Sequence, residues 1–174
     1  MKRMLKKLSA LCTVVGVIFL VATIAFAAPP NSKTFTNDSP AFSVSYPQDW
    51  DVVDFEEEDV VFKAATGAYQ LPNFIVIKAK AVASTKEAVE QIKKRWDDQY
   101  MGKNFKTISE ETVKLEDGTP AFMVQISWDH PMVPELKTCY LIATKGNTTV
   151  AISSSGTKPT TDEVKMMMKS LSIK

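Results

Sequence analysis

Apolar and polar side chains alternate through Phe42-Ser43-Val44-Ser45-Tyr46, the two-residue period of a strand with one face buried. Pro47-Gln48-Asp49 then supplies a turn, because proline presets the backbone angle at its second position. Trp50 to Phe55 and Val60 to Ala64 are predicted as two more strands around the acidic turn Glu56-Glu57-Glu58-Asp59. Phe74 to Val82 is expected as a longer strand, with Ile75, Ile77, Ala79 and Ala81 on one side. At Ser84 the period changes. Ser84 and Glu87 have capping-box spacing, and Val89, Ile92, Trp96 and Tyr100 recur at helical intervals to make one apolar stripe. Gly102 is the expected stop.

The second half reads as a meander. Lys106 to Leu115 runs to the hairpin signal Asp117-Gly118, after which Phe122, Val124, Ile126 and Trp128 alternate with Met123, Gln125, Ser127 and Asp129. Pro131 to Pro134 turns the chain into a strand over Lys137 to Thr144, and Gly146-Asn147 turns it again into Thr148 to Ser154. A last helix is expected from about Thr160, with capping-box spacing to Glu163 and a core face of Val164, Met167, Met168 and Leu171. Roughly seven or eight strands and two helices, with hairpin signals outnumbering βαβ units, imply one α+β domain over residues 41–174. Its expected form is a mostly antiparallel sheet with helices packed on its faces. Residues 28–40 are polar and turn-prone and are expected to be a flexible leader.

Charge changes the picture at the N-terminus. Lys2, Arg3, Lys6 and Lys7 precede an uncharged, mainly apolar run from Leu8 to Phe26, which ends in the small-residue pattern Ala25-Phe26-Ala27. A basic, an apolar and a small-residue zone in that order predict a secretory signal over residues 1–27, with an uncleaved membrane anchor as the alternative. Cys12 does not make a lipid-attachment site, since Leu11 precedes it and little apolar sequence lies upstream. Four of the 21 basic residues fall in this segment, so the remaining 147 residues carry 17 basic against 20 acidic side chains, a net charge near −3. A mildly acidic chain lacks the clustered Lys and Arg that nucleic acid requires. The expected location is outside the cytoplasm, in the periplasm or beyond, with membrane contact only through a retained signal.

Candidate chemistry is sparse. His130 is the one histidine, and Asp129 with Ser153 to Ser155 would complete a serine triad only on paper. There is no Gly-x-Ser-x-Gly elbow, and adjacent strand residues point to opposite faces. Cys139 is the one cysteine beyond the signal, and its strand context predicts burial. In an antiparallel pair it stands about 14 Å up the ladder from His130, out of hydrogen-bond reach. The run Glu56 to Asp59 has carboxylates enough to attract calcium but lacks the acidic alternation and glycine of an EF-hand loop, so a solvated turn is expected. Trp96 and Trp128 continue apolar stripes, Trp50 is the least committed tryptophan, and Met166 is the methionine of Met166 to Met168 left off the core face. No catalytic residue, metal or cofactor is assigned. Trp50, Glu57, Asp59 and His130 are the candidate binding residues, and a hydrolase using His130 is the alternative.

Phe42-Ser43-Val44-Ser45-Tyr46-Pro47-Gln48-Asp49-Trp50-Asp51-Val52 resembles the strand, Tyr-Pro, short turn and Trp opening of PsbP-like domains, a family that includes DcrB-like exported domains. The closing Val150 to Ser155 strand and the helix before Ser170-Leu171-Ser172-Ile173 are similar to that family's end. The resemblance implies an α/β/α sandwich about an antiparallel sheet, and an accessory or binding role without a shared catalytic site. It gives Tyr46, Pro47 and Trp50 a structural part, as a turn with its aromatic anchors. The implied partner is another envelope protein or a small ligand. Nothing in the chain points to a photosynthetic one.

Overall fold

The computed structural model describes residues 29–67 and 70–174. The signal expected over residues 1–27 lies outside them. The chain runs β1 (Ser32–Asp38), β2 (Ala41–Pro47), β3 (Asp51–Val52), β4 (Val60–Ala65), β5 (Asn73–Lys78), α1 (Thr85–Tyr100), β6 (Lys103–Lys114), β7 (Pro120–Asp129), β8 (Leu136–Lys145), β9 (Thr148–Gly156), α2 (Asp162–Lys169) and β10 (Ser172–Ile173). The strands form two antiparallel sheets, a seven-stranded one in the order β3-β4-β5-β9-β8-β7-β6 and a three-stranded one in the order β1-β2-β10. This is the α+β class expected.

The large sheet is covered on both faces, so its central strands bury both of their alternating sets. On one face α1 lays Ala88, Val89, Ile92 and Trp96 over Ile75, Ile77, Val124, Ile126, Tyr140 and Ile142. On the other, α2 and the small sheet pack Phe42, Val44, Met167, Met168 and Leu171 against Phe74, Val76, Met123, Leu141 and Ile152. Tyr46 and Trp50 belong to this second core, and Tyr46 tilts against Phe62 with ring centroids 4.8 Å apart.

Several expectations need correction. Residues Ser32–Asp38 are not an irregular leader. They pair with all of β2, from Ser32 opposite Pro47 to Asp38 opposite Ala41, and Phe35 stacks on Phe62. Their single apolar residue carries too weak a period to announce a strand whose pairing is decided by β2. The strand expected to reach Val82 ends at Lys78, and of Trp50 to Phe55 only Asp51 and Val52 are in a ladder. The cap of α2 is Thr161, whose hydroxyl accepts from Val164 N–H at 3.3 Å, one residue later than Thr160.

At α1, Ser84 Oγ accepts from Glu87 N–H at 3.2 Å as its spacing predicts. Glu87 reaches back one residue further than a capping box requires, accepting from Ala83 N–H at 2.9 Å. The left-handed residue that ends the helix is Met101 (φ 52°), not Gly102. Gly102 serves packing instead. A Cβ there would fall 2.8 Å from both Phe105 Cζ and Trp128 Cε3.

Candidate functional site

Helix α1 carries Trp96 and Tyr100 to its C-terminal end, one turn apart on the buried stripe, where they meet Trp128 from β7. The Trp96 and Trp128 rings stack at 5.6 Å and 29°, and Tyr100 stands 6.4 Å from Trp128. The loop after β7 brings His130 against this cluster, 5.9 Å from Trp128 and 6.3 Å from Tyr100. Between these rings, Leu71, Ile75 and Leu136 lies a cavity of about 160 Å³.

Part of the polar lining of this cavity is tied down. Trp128 Nε1–H donates to Thr138 Oγ1 at 2.9 Å, Thr138 and Ser155 share a hydroxyl hydrogen bond of 2.8 Å, and Ser155 N–H donates to Asn73 Oδ1 at 3.1 Å. Other buried atoms nearby differ: besides Asp59 Oδ1 and Arg95 Nε and Nη2 of the ion pair beside Trp96, two neutral groups are unpaired. Trp96 Nε1–H and Ser153 Oγ have no hydrogen-bond partner among the described residues.

The acidic turn is divided. Glu56 and Glu58 are exposed, whereas Glu57 and Asp59 are half-buried against α1. Glu57 Oε1 accepts from the Tyr100 hydroxyl at 2.7 Å. Partial burial works to raise the Glu57 carboxyl, but that hydrogen bond, backbone N–H groups and the charge of Lys63 together hold it below the ordinary carboxylate value. The Tyr100 hydroxyl is pushed well above its usual value by burial and by the same carboxylate. Asp59 pairs with the largely buried Arg95, whose guanidinium also lies 5.6 Å from the Trp96 ring centre. These carboxylates face side chains of the helix rather than one another, unlike a calcium loop.

His130 is not set up as a base. Its Nδ1 accepts from Met132 N–H at 3.1 Å, inside its own loop. The neighbouring Asp129 is spoken for, with Oδ1 accepting from Glu135 N–H at 3.0 Å and Oδ2 from Asn104 at 2.8 Å. Cys139 projects into the core on the α2 side of the sheet, away from His130, and burial pushes its thiol up to about 12. Ser153 to Ser155 are buried residues of β9, with alternate side chains on opposite faces, so they do not form a nucleophile turn.

Trp50 lies elsewhere. It is 9% exposed and forms part of an open groove of about 890 Å³, walled also by Pro47, Pro72 and Met167 and rimmed by the segment from Ser154 to Thr161. Asp51, beside it, pairs with Ala65 at one end of β4, while Glu57 and Asp59 precede Val60 at the other. Six residues of strand put about 17 Å or more between them. Of the four candidate binding residues, Glu57, Asp59 and His130 therefore gather around the end of α1, and Trp50 belongs to a separate groove. Trp96, Tyr100, Trp128, Thr138, Asn73 and Arg95 were not singled out as site residues from sequence. The stripes that hold Trp96, Tyr100 and Trp128 give core positions, and the stacking of Trp96 on Trp128 joins two elements far apart in the chain.

No protein-family model and no curated protein matches this sequence. Among solved structures, the chain is similar to cyanobacterial PsbP (CyanoP) from Synechocystis sp. PCC 6803, at 15% identity over 95% of this chain and 98% of that one, with a TM-score of 0.63. It is more loosely similar to a Pseudomonas aeruginosa protein of unknown function, PA94 (13% identity, 73% and 83% coverage, TM-score 0.42). A Bacteroides thetaiotaomicron protein matches at 20% identity over 83% of this chain and 49% of its own, with a TM-score of 0.44. The chain has a PsbP-like fold, the fold its Tyr46-Pro47 and Trp50 motif implied.

Proposed function

With the PsbP-like fold as the frame, we propose that this chain is an exported, non-enzymatic accessory protein of the bacterial cell envelope that holds an extended segment of another envelope protein in the groove beside Trp50. The groove carries this reading. Its volume of about 890 Å³ lies within the range of ligand-binding clefts, and it opens to solvent, where a polypeptide segment can enter. Trp50, Pro47, Pro72 and Met167 offer stiff apolar contacts, while Thr157, Thr160, Asn31 and Gln48 offer hydroxyls and amides that suit a main chain. Export rests on the basic, apolar and small-residue order of residues 1–27. Among the described residues, no helix is long and apolar enough to cross a membrane.

The test is site-specific photocrosslinking in the native envelope. A photoreactive residue at Thr157, exposed on the groove rim, is expected to give one discrete protein adduct that Thr160→Arg abolishes. The same residue at Ile108, which is 55% exposed on β6, is expected to give none. Equal adducts from both positions, or no adduct from Thr157, would overturn the proposal. N-terminal sequencing of the envelope form checks export independently, with a start at Ala28 expected.

A further inference from the structure

We infer that the cavity at the end of α1 is a second binding site, built for a small neutral molecule with a single aromatic ring and a carbonyl-type acceptor. This goes beyond the groove reading, since it concerns another cavity and another class of ligand. Size gives the first argument. About 160 Å³ is close to the volume that admits one benzene ring in an apolar protein interior. The walls give the second: Trp96, Tyr100, Trp128 and His130 present ring faces and edges to the space, the geometry in which another ring packs best.

The unsatisfied groups give the third. Trp128 N–H, Thr138, Ser155 and Asn73 all have partners, whereas the Trp96 N–H and the Ser153 hydroxyl do not. The other unpaired buried atoms, Asp59 Oδ1 and Arg95 Nε and Nη2, belong to the ion pair behind Trp96. Trp96 is itself a wall of the cavity. Ser153 is the register partner of Ile75, another lining residue, and lies two residues from Ser155 on the same face of β9. Native proteins seldom leave such groups unpaired. A ligand carbonyl accepting from Trp96 N–H, with an adjacent polar group at Ser153, satisfies both.

Charge favours a neutral molecule. Lys63 at the cavity lies near the Glu57 carboxylate, and Arg95 behind Trp96 is paired with Asp59, so neither sign is in excess. Access is from the loop after β7, where Met132 is 74% exposed and Val133 is half-buried.

The probe is benzamide, titrated into the full-length protein while the tryptophan indole N–H resonances are followed by NMR. Saturable binding is expected to move the Trp96 resonance, assigned in the wild-type protein, further than that of Trp128, whose indole N–H stays bonded to Thr138. Toluene, which has the ring but no acceptor, is expected to bind about tenfold more weakly, the discrimination one buried hydrogen bond supplies. Val133→Trp, which narrows the mouth, should abolish binding. An unmoved Trp96 indole on the wild-type protein, toluene binding as tightly as benzamide, or undiminished binding in Val133→Trp each overturns the inference. The wild-type titration needs no variant to fold.

Discussion

The Tyr100 hydroxyl donates to Glu57 Oε1 at 2.7 Å, joining the last turn of α1 to the acidic turn before β4. The bond holds Tyr100, one wall of the aromatic cavity, from a residue 43 positions away in the chain. It also makes Glu57 an acid-sensitive contact. A carboxyl whose folded-state pKa is depressed contributes stability above its unfolded pKa and loses it as pH falls through the folded value. Tyr100→Phe is therefore expected to cost about 1 kcal/mol near neutrality. It should also flatten the fall in stability between about pH 5 and pH 3, the range in which glutamate titrates. Urea unfolding of both proteins at several pH values checks this. Parallel acid limbs would show that the bond contributes nothing to it.

Gly102→Ala is expected to destabilise by about 1–3 kcal/mol through overpacking. The added methyl would meet the Trp128 ring and Phe105 at 2.8 Å, and Trp128 is held in place by its bond to Thr138. Thermal denaturation measures the loss. A weakened near-ultraviolet signal from the Trp96 and Trp128 stack should accompany it.

Cys139 should be inert in the folded protein. It is 1% exposed, and a thiol raised to about 12 supplies almost no thiolate near neutrality. Labelling by a disulfide reagent is expected to track global unfolding as urea is added. Fast labelling in buffer would show a local opening of β8.

The methionines of α2 form an internal control. Met168 is fully buried against the large sheet, so Met168→Ala is expected to cost about 2–5 kcal/mol. Met166 is 48% exposed, and Met166→Ala should fall within about 0.5 kcal/mol of the parent. Chemical denaturation of the two variants side by side separates them.

Elements with a strong period were legible in the sequence. The stripe Val89, Ile92, Trp96 and Tyr100 gave α1, and the alternation from Phe122 to Trp128 gave β7. Turns marked by Gly118 and Gly146 also held, each with the positive φ that glycine permits. What failed was decided across the fold. Ser32–Asp38 becomes a strand because β2 offers it a full ladder, and neighbouring threonines left the α2 cap ambiguous by one residue. The site was less legible still. Glu57 and Asp59 belong to a run that reads as solvated, yet alternate residues turn inward to Tyr100 and Arg95. The Trp96 and Trp128 stripes predict burial correctly but carry no sign that the two rings meet, or that one indole N–H remains unpaired.

The small sheet has a mechanical consequence. Ser32, at the start of β1, stands opposite Pro47, while Ile173 in β10 stands opposite Phe42 at the other end of β2. Tension between the two ends of the domain therefore runs along the strands and shears both ladders, instead of peeling them open one bond at a time. With seven register pairs on one side and two on the other, β10 is the weaker ladder, reinforced by Lys174 N–H donating to Ala41 O at 3.0 Å and by Ser45 N–H donating to Ser170 Oγ at 2.8 Å. Force applied between Ser32 and Ile173 loads these two ladders first, before the seven-stranded sheet with its aromatic cavity.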